Sequence, residues 1–245
     1  MKLIHCADIH LDSPMQTHMT AQQASVRNTE MLQSFVRLTE FAQEHAVRAV
    51  LIAGDLFDGA RVRARTVDAL LAAIRRTPEV DYLYLPGNHD EAANAFCDCA
   101  LPGNLKLFGK TWSTVQYDGI AISGVQIGAD AALYETLPHT DGVVNLIMLH
   151  GGIGTACAED VINLKLLKNR GIDYLALGHI HSYQTGPLDE TGSYCYPGCL
   201  EGRGFDECGE KGFVLLTVED GARGLMQSQG LFQHVKNLPQ MVQNV

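Results

Sequence analysis

An α/β fold is predicted by two observations. In the first half of the chain, short β-branched apolar runs alternate with stretches of helical spacing. Five times, an apolar run is followed directly by a cluster of Asp, His or Asn residues. The alternation implies parallel strands joined by right-handed crossovers. In such sheets ligands collect at the carboxyl ends of strands, so the five clusters can converge on one site.

The first strand covers residues 2–7. A loop containing Pro14 leads to a helix over 28–45, where Met31, Leu32, Phe35, Leu38 and Phe41 recur close to helical spacing. Residues 48–53 form the second strand, and 66–76 a helix stopped by Pro78. Asp81–Leu85 is the third strand. From Leu105 onward the pattern is richer in strands, at 106–108, 119–123, 143–149, 172–177, Ser193–Tyr196 and 212–218. One helix is expected over 159–169, between the last two clusters. Residues 221–245 read as one or two strands with a loose tail. No repeat, low-complexity stretch or Pro- or Ser-rich linker interrupts the chain. A single domain over 1–245, with its core in about 1–220, is therefore expected.

With 245 residues, 46% of them hydrophobic, the chain can bury a substantial core. The apolar start breaks at Asp8, too early for a signal peptide or membrane span, so a cytoplasmic location without membrane attachment is expected. Seven cysteines, an odd number, suit a reducing compartment rather than a disulfide framework. The net charge of −10 argues against nucleic-acid binding through diffuse basic attraction. A phosphate substrate remains compatible, because two divalent ions beside two carboxylates leave a local charge of about +2.

The clusters are Asp8-Ile9-His10, Gly54-Asp55-Leu56-Phe57-Asp58, Gly87-Asn88-His89-Asp90, His150-Gly151-Gly152 and Gly178-His179-Ile180-His181. They offer carboxylate, imidazole and carboxamide groups but no thiolate, which suits manganese, iron or zinc rather than a Cys-lined structural zinc. In an extended backbone Asp8 and His10 point to the same side. Asp55, in a turn behind a strand, is placed to bridge two ions. A lone histidine is usually an ordinary core or surface residue, and His5, His18, His45, His139 and His234 are read so. The joint pattern of the motifs reverses that reading for the others.

These five motifs, in this order, resemble the calcineurin-like metallophosphoesterase superfamily, from Asp8 to His181 and on to about Gly212. Residues 7–14, Tyr196-Pro197-Gly198 and Gly202-Arg203-Gly204-Phe205 are similar to the SbcD-type DNA repair exonucleases within it. The resemblance implies two facing mixed β-sheets flanked by helices. It implies two divalent metal ions, Mn²⁺ foremost and Fe or Zn as alternatives. Asp8, His10, Asp55 and His181 would hold one ion, and Asp55, Asn88, His150 and His179 the other. His89 is left over to donate a proton to the leaving alkoxide or to bind the phosphoryl oxygens, with Asp90 orienting it. Asp58 is expected to back a ligand histidine, and Arg203 to contact substrate.

The implied activity is phosphodiester hydrolysis, as a DNA exo- or endonuclease of the SbcD-like type. The rival is a phosphodiesterase or phosphatase for a small phosphorylated metabolite or nucleotide. DNA is the expected partner. The SbcC-type ATPase partner of such nucleases would need a docking segment, and residues 221–245 are too short to supply it together with a DNA-facing cap. Arg61, Arg63 and Arg65 read equally well as a solvated helix start or as phosphate contacts. The spacings of Cys97, Cys99, Cys195, Cys199 and Cys208 favour free thiols over a second metal site. Gly151-Gly152-Ile153-Gly154 reads as a flexible turn.

Overall fold

A computed structural model describes residues 1–15, 19–58, 62–90, 96, 99–128, 132–156, 158, 160–204 and 207–218. The expected tail at 221–245, and with it His234, lies outside these residues, as do His18, Arg61 and Cys97.

The first half builds one sheet and its helical cover. β1 (Lys2–Cys6), α1 (Ala21–Glu44), β2 (Ala49–Ala53), α2 (Ala64–Arg75), β3 (Asp81–Leu85) and β4 (Leu105–Leu107) alternate as expected. The four strands are parallel neighbours in the order β1-β2-β3-β4. Every residue of β2 and β3 is buried, because both faces of the sheet are covered. On the outer face Ile4, Val50, Ile52, Tyr82 and Tyr84 pack with Met31, Phe35 and Leu38 of α1 and Leu70 and Ile74 of α2.

The second half builds a second sheet from β5 (Ser113–Tyr117), β6 (Ile120–Gly124), β7 (Val144–His150), β10 (Tyr174–Gly178), β11 (Gln184–Pro187) and β12 (Ser193–Tyr196). Between these strands lie α3 (Ala132–Glu135), β8 (Gly152–Ile153), β9 (Val161–Ile162) and α4 (Leu164–Leu167). The sheet order is β11-β12-β10-β7-β6-β5, with antiparallel strands only at its two edges. β13 (Val214–Thr217) returns to the first sheet and pairs antiparallel with β1. The two mixed sheets face each other across Leu3, Leu51, Leu83, Leu146, Met148 and Ala176. His5 also lies in this seam, its Nδ1 hydrogen-bonded at 2.9 Å to the Tyr174 hydroxyl of the other sheet.

Beyond β5, α3 and β11, which the sequence reading lacks, three elements differ from it. α1 starts earlier because Thr20 caps it: the Gln23 amide donates to Thr20 Oγ1, and Gln23 Oε1 accepts from the Thr20 amide. The helix expected over 159–169 shrinks to the four residues of α4. Val161 and Ile162 instead pair with Gly152 and Ile153, and Asn163 caps α4. The supposed turn at Gly151–154 is thus partly strand β8. Among the described residues, no helix is long and apolar enough to cross a membrane.

Candidate metal centre

The carboxyl ends of β1, β2 and β3 in one sheet and of β7 and β10 in the other meet at the same rim of the sandwich. Behind β1 the chain does not stay extended. Asp8 and His10 take left-handed conformations, with φ of 51° and 49°, and Asp55 does the same at 51°. The segments after β1 and β2 run side by side, the Asp8 amide donating to Gly54 O, His10 to Asp55 O and Leu11 to Leu56 O. The structure therefore corrects the reason for Asp8 and His10 converging: paired left-handed turns, not strand geometry, aim them inward. Left-handed non-glycine residues cost energy and cluster where a site needs them.

The motif glycines have a steric explanation. A Cβ on Gly54, whose φ is 94°, would fall within 2.5 Å of His150 Cγ. One on Gly87 would meet the Asp55 amide nitrogen at 2.6 Å, and one on Gly178 would strike Ala53 O and come within 2.7 Å of His150 Nδ1. Backbone and ligand side chains pass too closely there for any side chain.

The hydrogen bonds around the histidines leave their inner nitrogens facing acceptors. His150 Nδ1 donates to Ala53 O at 2.9 Å. Its Nε2 then faces Asn88 Oδ1 at 2.9 Å and Asp55 Oδ2 at 3.3 Å. His181 Nδ1 donates to Glu207 Oε1 at 2.6 Å, and its Nε2 stands 3.1 Å from His10 Nε2. His179 Nδ1 lies 3.3 Å from the same Asn88 oxygen, and its amide donates to both Asp8 oxygens. Two pockets of lone pairs thus point at one another, a set that a cation would satisfy. The Asp/His groups Asp8–His10–His181 and Asp8–Asp55–His150 bring their donor atoms within 4.8 Å of one another. The residues fit a dinuclear metal centre.

The charge balance without metal tells the same story. Burial pushes the Asp8 carboxyl up to about 7, against the pull of His150. Burial would also lower His150, but Asp55 and Asp8 outweigh it and raise the ring to about 9. Asp55, despite burial, is held at about 2 by the His150 hydrogen bond and charge. Binding a cation to such a set would release protons.

Around this core the structure redistributes the supporting roles. Among the described residues no hydrogen bond or ion pair joins the Asp90 carboxylate to the His89 ring. Its buried carboxylate accepts from the amides of Leu56, Phe57 and Gly87 and so ties the loops behind β2 and β3 together. Asp58 faces His89 instead, its Oδ1 3.3 Å from His89 Nδ1. The reason lies in the turn: Asp90 points back under the loop, while Asp58 reaches across from the neighbouring one. Asp58 stays 3.9 Å from His10 Nδ1, beyond a hydrogen bond, so it does not back that ring directly. Its Oδ2 accepts from Ser13 Oγ and Arg203 Nη1.

Arg203, partly exposed, is committed to Asp58 and Glu207. Glu207, absent from the sequence reading, is held well below the usual carboxylate range, because its bonds to His181 and Arg203 outweigh its burial. Arg63 chelates Asp12 through its amide and guanidinium, which fixes the start of α2 to the loop behind β1. Cys99, Cys195 and Cys199 are free thiols. The Cys199 thiol lies 3.6 Å from the His181 carbonyl.

Comparison with known proteins places this geometry among relatives. The family model described as calcineurin-like phosphoesterase matches residues 1–183. An uncharacterized metallophosphoesterase, YhaO of Bacillus subtilis, is 28% identical over 239 residues, covering 90% of this chain and 58% of its own. The DNA double-strand break repair protein Mre11 of Methanopyrus kandleri is 25% identical over 256 residues, covering 90% of this chain and 55% of its own. The chain thus spans a little over half the length of these curated relatives. In fold it is similar to a dimetal phosphatase from Danio rerio, at 12% identity and a TM-score of 0.64, over 90% of this chain and 93% of that one.

Proposed function

We propose, because the chain belongs to the calcineurin-like phosphoesterase family, that it is a metal-dependent phosphoesterase hydrolysing phosphodiesters in nucleic acid at a dinuclear centre. The observation that carries the reading is the convergence of acceptor atoms from both sheets. Asp8, His10, Asp55 and His181 would hold one ion, and Asp55, Asn88, His150 and His179 the other, with Mn²⁺ the proposed native metal. Such a pair of cations, when bound, would supply Lewis acidity toward phosphoryl oxygens and would lower the pKa of water toward neutrality.

The chain's own residues do the rest. His89, whose ring is half-exposed, would pass a proton to the leaving alkoxide. Asp58 Oδ1, beside its Nδ1, would fix the orientation of the ring. Asp90 holds the loop carrying Asn88 and His89 against the loop carrying Asp55.

The substrate reading rests on the Mre11 relative and on the SbcD-like segments at 7–14 and 196–205. A cytoplasmic location goes with it. A second reading, hydrolysis of a small phosphorylated metabolite, is favoured by the net charge of −10 and by the commitment of Arg63 and Arg203 to salt bridges. Turnover of a labelled oligonucleotide, bis-p-nitrophenyl phosphate and phosphomonoesters under Mn²⁺ separates the two. Faster cleavage of the diesters supports the nuclease. Intact DNA beside rapid monoester turnover replaces it with the metabolite phosphatase.

A further inference from the structure

We infer that Glu207, together with Arg203, is a positioning residue that sets the tautomer and aim of His181; the inference rests on the metal reading above.

The contact itself is short and enclosed. Glu207 Oε1 accepts from His181 Nδ1 at 2.6 Å, and the Glu207 side chain is only 9% exposed. A carboxylate accepts but cannot donate, so Nδ1 carries the proton and Nε2 keeps its lone pair. Arg203 Nη2 stands 3.2 Å from the same Nδ1, farther off than the carboxylate and already donating to Glu207 Oε1, so it does not displace that bond. The free lone pair is the one directed at His10 Nε2, where the first ion is proposed.

Glu207 is in turn held by more than His181. The Arg203 amide donates to its Oε2 at 2.8 Å, and the Arg203 guanidinium to its Oε1 at 2.7 Å and 3.1 Å. Lys211 Nζ donates to the His181 carbonyl at 3.1 Å, so the ligand is gripped at ring and backbone.

The segment is anchored at its other end to helix α1. Arg27 Nη2 donates to Glu201 Oε1 at 2.8 Å, and Arg27 Nε to the Gly202 carbonyl at 2.9 Å. Ser34 Oγ donates to the second Glu201 oxygen at 2.8 Å. These partners are all buried. A strut therefore runs from the middle of α1, through Glu201 and Gly202, to Arg203 and Glu207, and ends on His181. A side branch through Arg203 reaches Asp58, whose other oxygen faces His89. One charged network thus ties a proposed ligand to the proposed proton donor. If Glu207 served only to neutralise Arg203, it would not need to place an oxygen on the imidazole.

The test uses Glu207→Gln, which keeps shape and one acceptor but removes the charge. In metal-free wild type, long-range ¹H–¹⁵N spectra should show His181 protonated at Nδ1, and in E207Q a mixture of tautomers. Calorimetric titration with Mn²⁺ should show two ions in wild type and, in E207Q, one of them weakened by about 10–100-fold. H181A should lose that same ion, and E207Q added to H181A should change nothing more.

Unchanged affinities in E207Q, or an equal loss in the H181A background, would overturn the inference. If wild type takes up no Mn²⁺, the metal reading fails, while the tautomer spectra still decide whether Glu207 sets His181. Should E207Q fail to fold, the wild-type spectrum is sufficient: an Nε2-protonated His181 refutes the positioning role.

Discussion

Replacing Gly54 with alanine tests the claim that the motif glycines exist to let ligands pass the backbone. The position combines two penalties. Its φ of 94° lies where an L residue is strained, at a cost of about 1–2 kcal/mol. The new Cβ would also collide with the His150 ring, an overpacking worth about 1–3 kcal/mol. If the ring moves aside, it gives up its hydrogen bond to Ala53 O, a further loss of about 0.5–1.5 kcal/mol. The whole comes to about 2.5–6.5 kcal/mol, a large part of the 5–15 kcal/mol typical of a domain.

Two other glycines isolate the parts. Gly119 has a φ of 73° but open space around its Cβ position, so Gly119→Ala should lose only about 1–2 kcal/mol. Gly103 has neither problem, and Gly103→Ala should be neutral or stabilising by up to about 1 kcal/mol. Urea unfolding of the three variants measures the ladder, and Mn²⁺ titration of folded Gly54→Ala should show the loss of the ion proposed at His150. If Gly54→Ala is no more costly than Gly119→Ala and binds metal normally, the steric account of this motif is wrong.

Elemental analysis of Asp55→Ala should show both ions depleted, because its carboxylate faces both His10 and His150, whereas His10→Ala should weaken mainly one. His89→Ala should retain metal yet slow esters with poor leaving groups by about 10²–10⁴-fold, with smaller losses on p-nitrophenyl esters. Asp58→Asn should follow His89→Ala in steady-state assays, whereas Asp90→Asn should show itself as a lower thermal midpoint, since its bonds are to backbone. Burial holds His5 down at about 3, below its unfolded value of 6.5, so the unfolded chain takes up that proton first. Stability is then full above about pH 6.5 and falls toward pH 3, with a slope of up to about 1.4 kcal/mol per unit that His5→Gln should remove in pH-dependent denaturation.

The first sheet was legible because each of β1, β2 and β3 is a short apolar run with a polar motif at its end, and α1 and α2 show helical spacing. β5 and β11 escaped notice because edge strands with exposed residues carry no apolar run. The helix expected over 159–169 failed where two β-branched residues found a strand partner that only the fold supplies. At the site, residue types and order named the inward-facing groups, since chemistry restricts what can surround a cation. The supports were less visible. Asp90 sits beside His89 in sequence, yet Asp58, 31 positions earlier, is the carboxylate that faces it. Glu207 lies 26 positions beyond His181 in an irregular loop, where no periodicity marks it.

The placement of the site across the seam has a consequence for how the molecule comes together. Asp8, His10, Asp55 and Asn88 arrive with one sheet, and His150, His179 and His181 with the other. Neither half alone assembles a full set of donors. A folding intermediate with both sheets formed but not yet docked would be blind to Mn²⁺, so the ion should speed none of the early steps and slow only the parting of the halves. Added metal would then act as a rivet: it should lower the unfolding rate while leaving the refolding rate nearly unchanged.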